Sequence, residues 1–248
     1  MINSSNKWFP SIKSDRKKIR LFCLPFAGGS SATYRSWENY LPAPVDVCPV
    51  YLPGRLNRIN EQSFSDISLL VDCLSKEIVP FLDIPFAFFG HSMGAVISFE
   101  LIRRLEEQNR FPLHLFVSSA RAPQLPSRTP DLHNLPEDEF KIELQKMNGT
   151  PSEVLNNKEL FQLLMPALRA DFKLVEEYEF KEGSPLNCPI TVFGGDNDEE
   201  VYLDELKEWS RQTEKSFESK TFPGNHFYFD FNLEQLLKHI RLVLESYL

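Results

Sequence analysis

The sequence predicts an α/β fold, with a mostly parallel central sheet flanked by helices and a helical lid insertion. Three observations carry that expectation. Short apolar runs alternate with longer segments of helical period, the pattern of helices layered on a parallel sheet. A glycine-bounded serine stands between one of those runs and a helical segment. Residues 121–185 then break the alternation with helical pieces and no convincing strand. A chain of 248 residues suits a single domain over 1–248, since α/β domains reach this length alone.

The expected strands are Ile19–Pro25, Val45–Leu52, Phe86–Phe89, Leu113–Ser118, Ile190–Phe193 and Phe217–Phe222. Between them, Ile67, Val71, Leu74 and Ile78 repeat at helical spacing, so residues 65–81 should bury one face. A second helix follows Ser92 to about Asn109. Pro123, Pro126 and Pro130 open the insertion. Pro136 followed by Glu137, Asp138 and Glu139 reads as a helix start, with proline at the first helical position and acids in the first turn. Thr150-Pro-Ser-Glu153 matches a capping box, and a helix over residues 158–180 is expected to kink at Pro166. An insertion of this kind between strands is the pattern of a lid over a site. Leu203, Leu206 and Trp209 mark a further helix, and Leu233, Leu236, Leu237, Ile240, Leu244 and Tyr247 form the apolar stripe of the last one.

Composition excludes several classes of function. With 42% hydrophobic residues and 21 Phe, the chain has the material for a sizeable core and is not a disordered segment. A formal net charge of −8 argues against nucleic-acid binding, which needs a basic face. The one basic cluster, Lys13 to Arg20, is expected to be a solvated lead-in to the first strand. No apolar run approaches the roughly 18 residues of a membrane span. Basic residues before Leu21–Ala27 mimic a signal peptide, but that run is short and contains Pro25, so it reads as a buried strand opening onto a glycine turn. Cys23, Cys48, Cys73 and Cys188 form no C-x-x-C pair and no metal-ligand spacing, and Cys23 and Cys48 are expected as buried free thiols. Together these favour a soluble, cytoplasmic chain with neither nucleic acid nor membrane as partner.

The chemistry centres on Gly90-His-Ser-Met-Gly94, a G-x-S-x-G pattern that follows Pro85-Phe-Ala-Phe-Phe89 and precedes a helix. That is the strand–turn–helix context of a nucleophile elbow, in which Ser92 would sit exposed on a strained turn. Side chains at 90 and 94 would collide with neighbouring backbone. The helix beginning after Ser92 aims free N–H groups at developing negative charge. A serine hydroxyl needs a base. Of the five histidines, His91 should be turned away by the elbow, His114 opens a strand, His133 lies in the insertion, and His239 falls on the polar side of the last helix. His226, in a loop between the last strand and the last helix, sits where the order Ser…Asp…His of the α/β-hydrolases places the base. Gly194-Gly-Asp-Asn-Asp198 offers two acids; Asp198 is chosen to orient the imidazole, and Asp196 to hydrogen-bond its own turn. One oxyanion donor should be the Met93 N–H, the other Ala27 or Phe26 in the loop Pro25-Phe-Ala-Gly-Gly29. No metal is required, and P-loop and dinucleotide patterns are missing, so no cofactor is expected.

Leu24-Pro-Phe-Ala-Gly-Gly29, Leu52-Pro-Gly-Arg55, Gly90-His-Ser-Met-Gly94, Gly194-Gly-Asp-Asn-Asp198 and Pro223-Gly-Asn-His-Phe227, in that order, resemble the type II thioesterases. These are free-standing α/β-hydrolases that accompany polyketide, non-ribosomal peptide and fatty acid synthases. The resemblance runs from residue 19 to 248. It implies a Ser92–His226–Asp198 triad, oxyanion donors at Ala27 and Met93, and a mobile helical lid over about residues 121–185. It also implies a substrate acyl group on the phosphopantetheine arm of an acyl- or peptidyl-carrier protein. Leu56 stands where the family usually has an acid, Arg55 receives no role, and residues 1–18 match nothing in the family. The competing readings are a carboxylesterase or lipase of small esters, and a non-catalytic acyl-binding member of the fold. Because carrier proteins are acidic like this chain, docking is expected on a local basic or apolar patch near the lid that includes Arg121, Arg128 or Arg169. A monomer is the expected state.

Overall fold

The computed structural model describes residues 6–12, 17–126, 128 and 131–248. Strand β1 (Ile19–Leu24) turns Leu21 and Cys23 toward one layer and Phe22 and Leu24 toward the other, and all are buried. It is followed by β2 (Val45–Pro49), α1 (Ile67–Glu77), β3 (Phe86–His91), α2 (Met93–Glu106) and β4 (Leu115–Ser118). Three helices, α3 (Glu137–Met147), α4 (Ser152–Asn156) and α5 (Lys158–Glu176), then precede β5 (Ile190–Gly195), α6 (Leu203–Lys207), β6 (Phe217–Phe222) and α7 (Phe229–Glu245). The strands pair in parallel in the order β2-β1-β3-β4-β5-β6. Covered on both faces, the inner strands bury every position, so β1 and β3 carry polar side chains only at Arg20 and His91. Edge strand β6 is largely exposed and carries Glu218 and Lys220, charges that discourage pairing with another chain.

The strand order places the site. The chain leaves β1 for β2 on one side, then crosses back to β3 on the other, so the direction of sheet growth reverses between β1 and β3. Where it reverses, connections diverge and a crevice opens beyond the carboxyl ends of the strands. The loop after β1 and the turn after β3 therefore face each other.

Two apolar layers sandwich the sheet. One joins α1, α2 and Leu206 and Trp209 to Phe22, Phe88, Val117 and Val192. The other packs Leu236, Leu237, Ile240 and Leu244 of α7, with Tyr34 and Trp37, against Leu21, Phe89, Phe116 and Phe193. A third cluster is separate from both: Leu132, Phe140, Leu144, Leu155, Phe161, Leu168 and Phe172 form a small core within the helical insertion, touched by Ala27 from the body.

Several local expectations change on folding. Helix α1 is shorter than residues 65–81, because Asp66 caps it through the Leu69 N–H at 2.9 Å and Pro80 converts the last turn to a 3-10 helix over Val79–Phe81. Pro136 and Pro151 occupy the cap positions of α3 and α4 rather than the first helical positions, so Thr150 lies one residue too early and no capping box forms. Helix α5 continues through Pro166 and ends at Glu176; the departure from helical geometry falls instead at Asn232 of α7, whose side-chain amide donates to Pro223 O at 2.8 Å and Tyr228 O at 2.7 Å. Arg20 is buried rather than solvated, donating to Phe81 O at 2.8 Å and pairing with Asp83. Lys13–Arg16 of the basic cluster and Pro130 of the proline-rich run lie outside the described residues. Trp8 and Phe9, which no sequence pattern placed, pack into the first layer, with Phe9 against Phe22 and Phe81. Among the described residues no helix is long and apolar enough to cross a membrane.

Because the insertion has its own core, the two halves should respond differently to truncation. Phe89→Ala should cost about 3–5 kcal/mol of global stability in denaturant unfolding, the usual loss for a buried Phe. Phe140→Ala should raise hydrogen exchange in α3 and α5 first while the sheet amides stay protected. Equal loosening of sheet and insertion by Phe140→Ala would show that they unfold as one unit.

Candidate active site

Ser92 sits between β3 and α2 with φ +51° and ψ −117°, a region that L residues rarely occupy and that costs about 1–3 kcal/mol. The turn is held by the Ser92 N–H on Ser118 O at 2.8 Å and by the Ala95 N–H on Ser92 O at 2.9 Å. Its two glycines are required by space. A Cβ at Gly90 would lie 2.2 Å from Gly94 O, and one at Gly94 would lie 2.2 Å from Leu24 O at the end of β1. Removing both side chains lets α2 start hard against β1, bringing Met93 next to the loop after β1. Met93 is the first residue of α2, where the backbone N–H has no partner within the helix.

In the loop after β1, the Gly28 N–H donates to Asp171 Oδ2 at 2.8 Å and the Gly29 N–H to Phe26 O at 2.8 Å. Ala27 lies between the main core and the insertion, partly buried and packed against both.

Asp198 and His226 come together from loops after β5 and β6. His226 Nδ1 lies 3.0 Å from Asp198 Oδ2 and 3.2 Å from Oδ1. Asp198 Oδ1 also accepts the N–H groups of Glu200 at 2.9 Å and Val201 at 3.1 Å, so the carboxylate is anchored on backbone before it meets the imidazole. An ionised carboxylate can only accept, so Nδ1 carries the proton and Nε2 keeps its lone pair. Asp196 does more than brace its own turn: its Oδ1 accepts the Gly224 N–H at 2.9 Å and so ties the acid loop to the histidine loop. Among the described residues no hydrogen bond joins Ser92 Oγ to His226, a link that is often long before substrate binds. Glu200 Oε2 stands 3.8 Å from His226 Nε2.

The electrostatics suit a general base. Burial disfavours the His226 cation, but its hydrogen bond to Asp198 and the charges of Glu200 and Asp198 outweigh that and hold the pKa above the ordinary histidine value. Burial raises the Asp198 carboxyl, and the His226 contact with the two backbone N–H groups more than reverses it, leaving the pKa below normal. Glu200 is raised, chiefly by burial.

His91 was expected to point away from the site. Its ring instead lies 5.0 Å from the His226 ring, fully buried among Phe26, Phe227 and Phe229. Burial, and then the charge of His226, push its pKa well below normal, so it stays neutral. Its Nδ1 meets Ser118 Oγ at 2.9 Å, which in turn meets the Tyr228 hydroxyl at 2.7 Å. The ring is a rigid, uncharged backing for the His226 imidazole. His114 is held at 2.9 Å from Thr191 Oγ1 and stacked on Phe116, away from the His226 pair. Asp131, His133 and Glu176 gather in the insertion, where Glu176 accepts the Leu132 and His133 N–H groups at 2.9 and 3.1 Å and caps a short helix.

The arginines expected as a docking patch are engaged internally. Arg121 and Arg128 both pair with Glu205, at 3.0 and 2.7 Å, and Arg169 donates to the carbonyls of His133 and Leu135 at 2.6 and 2.7 Å. Arg55, given no role from sequence, forms a buried fork on Asp171 of α5.

A parallel sheet with an elbow serine at its switch point, and an Asp–His pair on later loops, defines an α/β-hydrolase. Residues 19–243 match the thioesterase domain family, and the chain belongs to that family. The gramicidin S biosynthesis protein GrsT of Aneurinibacillus migulanus is 42% identical over 249 residues, covering 98% of this chain and 97% of GrsT. Thioesterase PikA5 of Streptomyces venezuelae is 36% identical over 213 residues, covering 85% of this chain and 75% of PikA5. The solved structure of BorB, a type II thioesterase from the borrelidin biosynthetic cluster, superposes with a TM-score of 0.89 at 34% identity, covering 97% of this chain and 98% of that one.

A base must be neutral to work, so a raised His226 pKa should place the acid limb of the kcat/KM profile above the pH of about 6.5 typical of a free histidine. Glu200→Gln removes a charge that favours the cation and should move that limb to lower pH. An acid limb unmoved by Glu200→Gln would show that Glu200 does not act on His226.

Proposed function

We propose that this chain hydrolyses acyl thioesters from the phosphopantetheine arm of acyl- or peptidyl-carrier proteins serving polyketide or non-ribosomal peptide synthesis. The observation that carries this is the Asp198–His226 pair, anchored on backbone in a chain of the thioesterase family. Relatives named for gramicidin S biosynthesis and for PikA5, and the type II thioesterase BorB, support the choice of substrate class.

In this reading Ser92 Oγ attacks the thioester carbonyl carbon as His226 Nε2 takes its proton. The Met93 and Ala27 N–H groups stabilise the tetrahedral oxyanion. Collapse breaks the C–S bond, and the imidazolium returns its proton to the departing thiolate. A thiol with a pKa of about 8.5 leaves readily, so the leaving step needs little further assistance. Water then attacks the acyl-Ser92 ester with His226 again as base, releasing the acid. Asp198 fixes the tautomer and stabilises the imidazolium. The helical insertion, residues 121–185, serves as the lid, and the separate core of its middle part, Leu132 to Phe172, would let that part move as a body. Free Cys23, Cys48, Cys73 and Cys188 suit a reducing compartment, and we place the reaction in the cytoplasm.

Intact-mass spectrometry of acyl-loaded carrier protein tests the reading. Wild type should return the free-thiol carrier, and Ser92→Ala should slow this by at least about 10³-fold. Asp198→Asn should lower kcat on the order of 10³- to 10⁴-fold, because the histidine tautomer is no longer enforced. A carrier thioester left intact by wild type, alongside rapid turnover of simple alkyl esters, would assign the site to a small-ester hydrolase.

A further inference from the structure

The loop that supplies the proposed Ala27 donor is held by a side-chain pair from elsewhere in the chain. Asp171, on α5, is 2% exposed and reaches across to the body. Its Oδ2 accepts the Gly28 N–H at 2.8 Å and Arg55 Nη1 at 2.9 Å, and its Oδ1 accepts Arg55 Nη2 at 2.7 Å. Arg55, 8% exposed, also donates through Nη1 to Gly29 O at 2.9 Å and through Nε to Pro53 O at 3.3 Å. The pair thus takes the donor of Gly28 and the acceptor of Gly29 in one network. Helix α5 presses on the same residues. Gly28 has φ +78°, and a Cβ there would lie 2.6 Å from Leu168 Cδ2, one helical turn before Asp171.

Stability alone is a poor reason for such a pair. A buried ion pair roughly breaks even against well-packed apolar groups of the same volume. What it does supply is direction. The Ala27 carbonyl and Gly28 N–H share one planar peptide, so pinning that N–H fixes the carboxyl side of Ala27 and limits how far its own N–H can turn. An oxyanion donor is effective only when preorganised, and misplacement by about 1 Å can cost two orders of magnitude in rate.

We infer that Arg55 and Asp171 are positioning residues that hold the Gly28–Gly29 backbone so that the Ala27 N–H faces the oxyanion, and that they make this arrangement depend on α5 being seated over the site. The inference rests on the proposed roles of Ser92, Ala27 and Met93. Its mechanical consequence is direct: when α5 lifts, Gly28 N–H and Arg55 lose Asp171 together, and the hole is dismantled. Bond cleavage is then confined to the covered state, with the acyl group enclosed.

The test uses a fluorophosphonate, which phosphonylates an activated serine with loss of fluoride and draws on the same donors without needing a carrier protein. Labelling rates by intact mass, melting temperature, and kcat and KM on acyl-carrier are compared for wild type, Arg55→Lys, Asp171→Asn and Arg55→Met/Asp171→Leu. The inference expects labelling and kcat to fall together by at least about tenfold in every variant, with KM little changed. It expects the same fall in the double variant even where apolar packing restores the melting temperature. A folded double variant that labels at the wild-type rate would overturn it. Should that variant fail to fold, Arg55→Lys, which keeps the charge but loses the fork, decides in the same way. Wild type that does not label, or Ser92→Ala that labels equally, instead removes the nucleophile reading and this inference with it.

Discussion

Nothing projects from positions 90 and 94, and the rest of the site depends on that. Because Gly94 can lie against the Leu24 carbonyl, α2 starts within contact of β1 and its first N–H groups open toward the loop beyond that strand. The strand crossover brings the two ends of β1 and β3 side by side, and the glycines close the remaining gap. The strained backbone at Ser92 persists because both neighbours of the turn are locked: β3 in the middle of the sheet, α2 in the largest apolar layer.

Charge is distributed around this turn in a way that makes each ionised group accountable. Asp198 leaves water for two backbone N–H groups and an imidazole, and Asp171 for a guanidinium fork and one backbone N–H. Neither carboxylate is buried unpaired, which at these burials would cost several kcal/mol. His226, held by Asp198, is backed by His91, whose neutrality matters to the proposed mechanism: a second cation 5.0 Å away would oppose the imidazolium that the mechanism requires. Asp196 and Gly224 join the two loops that carry Asp198 and His226, tying the pair together.

The helical insertion is attached differently. Leu132 to Phe172 supply its own core, whereas Ala122, Leu125, Leu174, Val175, Tyr178 and Phe180 at its two ends pack into the first layer of the body. Between those ends its contacts with the body include Ala27, the Gly28 contact with Leu168, and the Arg55–Asp171 fork. Contacts made by the middle of the insertion can be broken while its ends stay anchored in that layer, which is what a covering element needs.

Much of this was legible in the order of the residues. Short apolar runs located the six strands of the described residues to within a few positions, since each strand's burial is set by its own side chains. The elbow was readable because its geometry is local: five residues between a strand and a helix dictate where glycine must stand. Asp198 and His226 were found by their places after the fifth and sixth strands, and the fold brings them within hydrogen-bond distance. Three things were out of reach. His91 was judged from the sharpness of its turn, but its partners, Ser118, Tyr228 and His226, come from three other segments. Arg121, Arg128 and Arg169 read as a docking patch free of other partners, because a sequence does not show that Glu205 and two carbonyls will engage them. Arg55 and Asp171 stand 116 residues apart with no shared pattern. Sequence by itself determined the elements and the local turns, because those follow from each segment's own periodicity and backbone needs. Only the tertiary structure decided which charges pair, because pairing depends on which segments the packed sheet and insertion bring into contact.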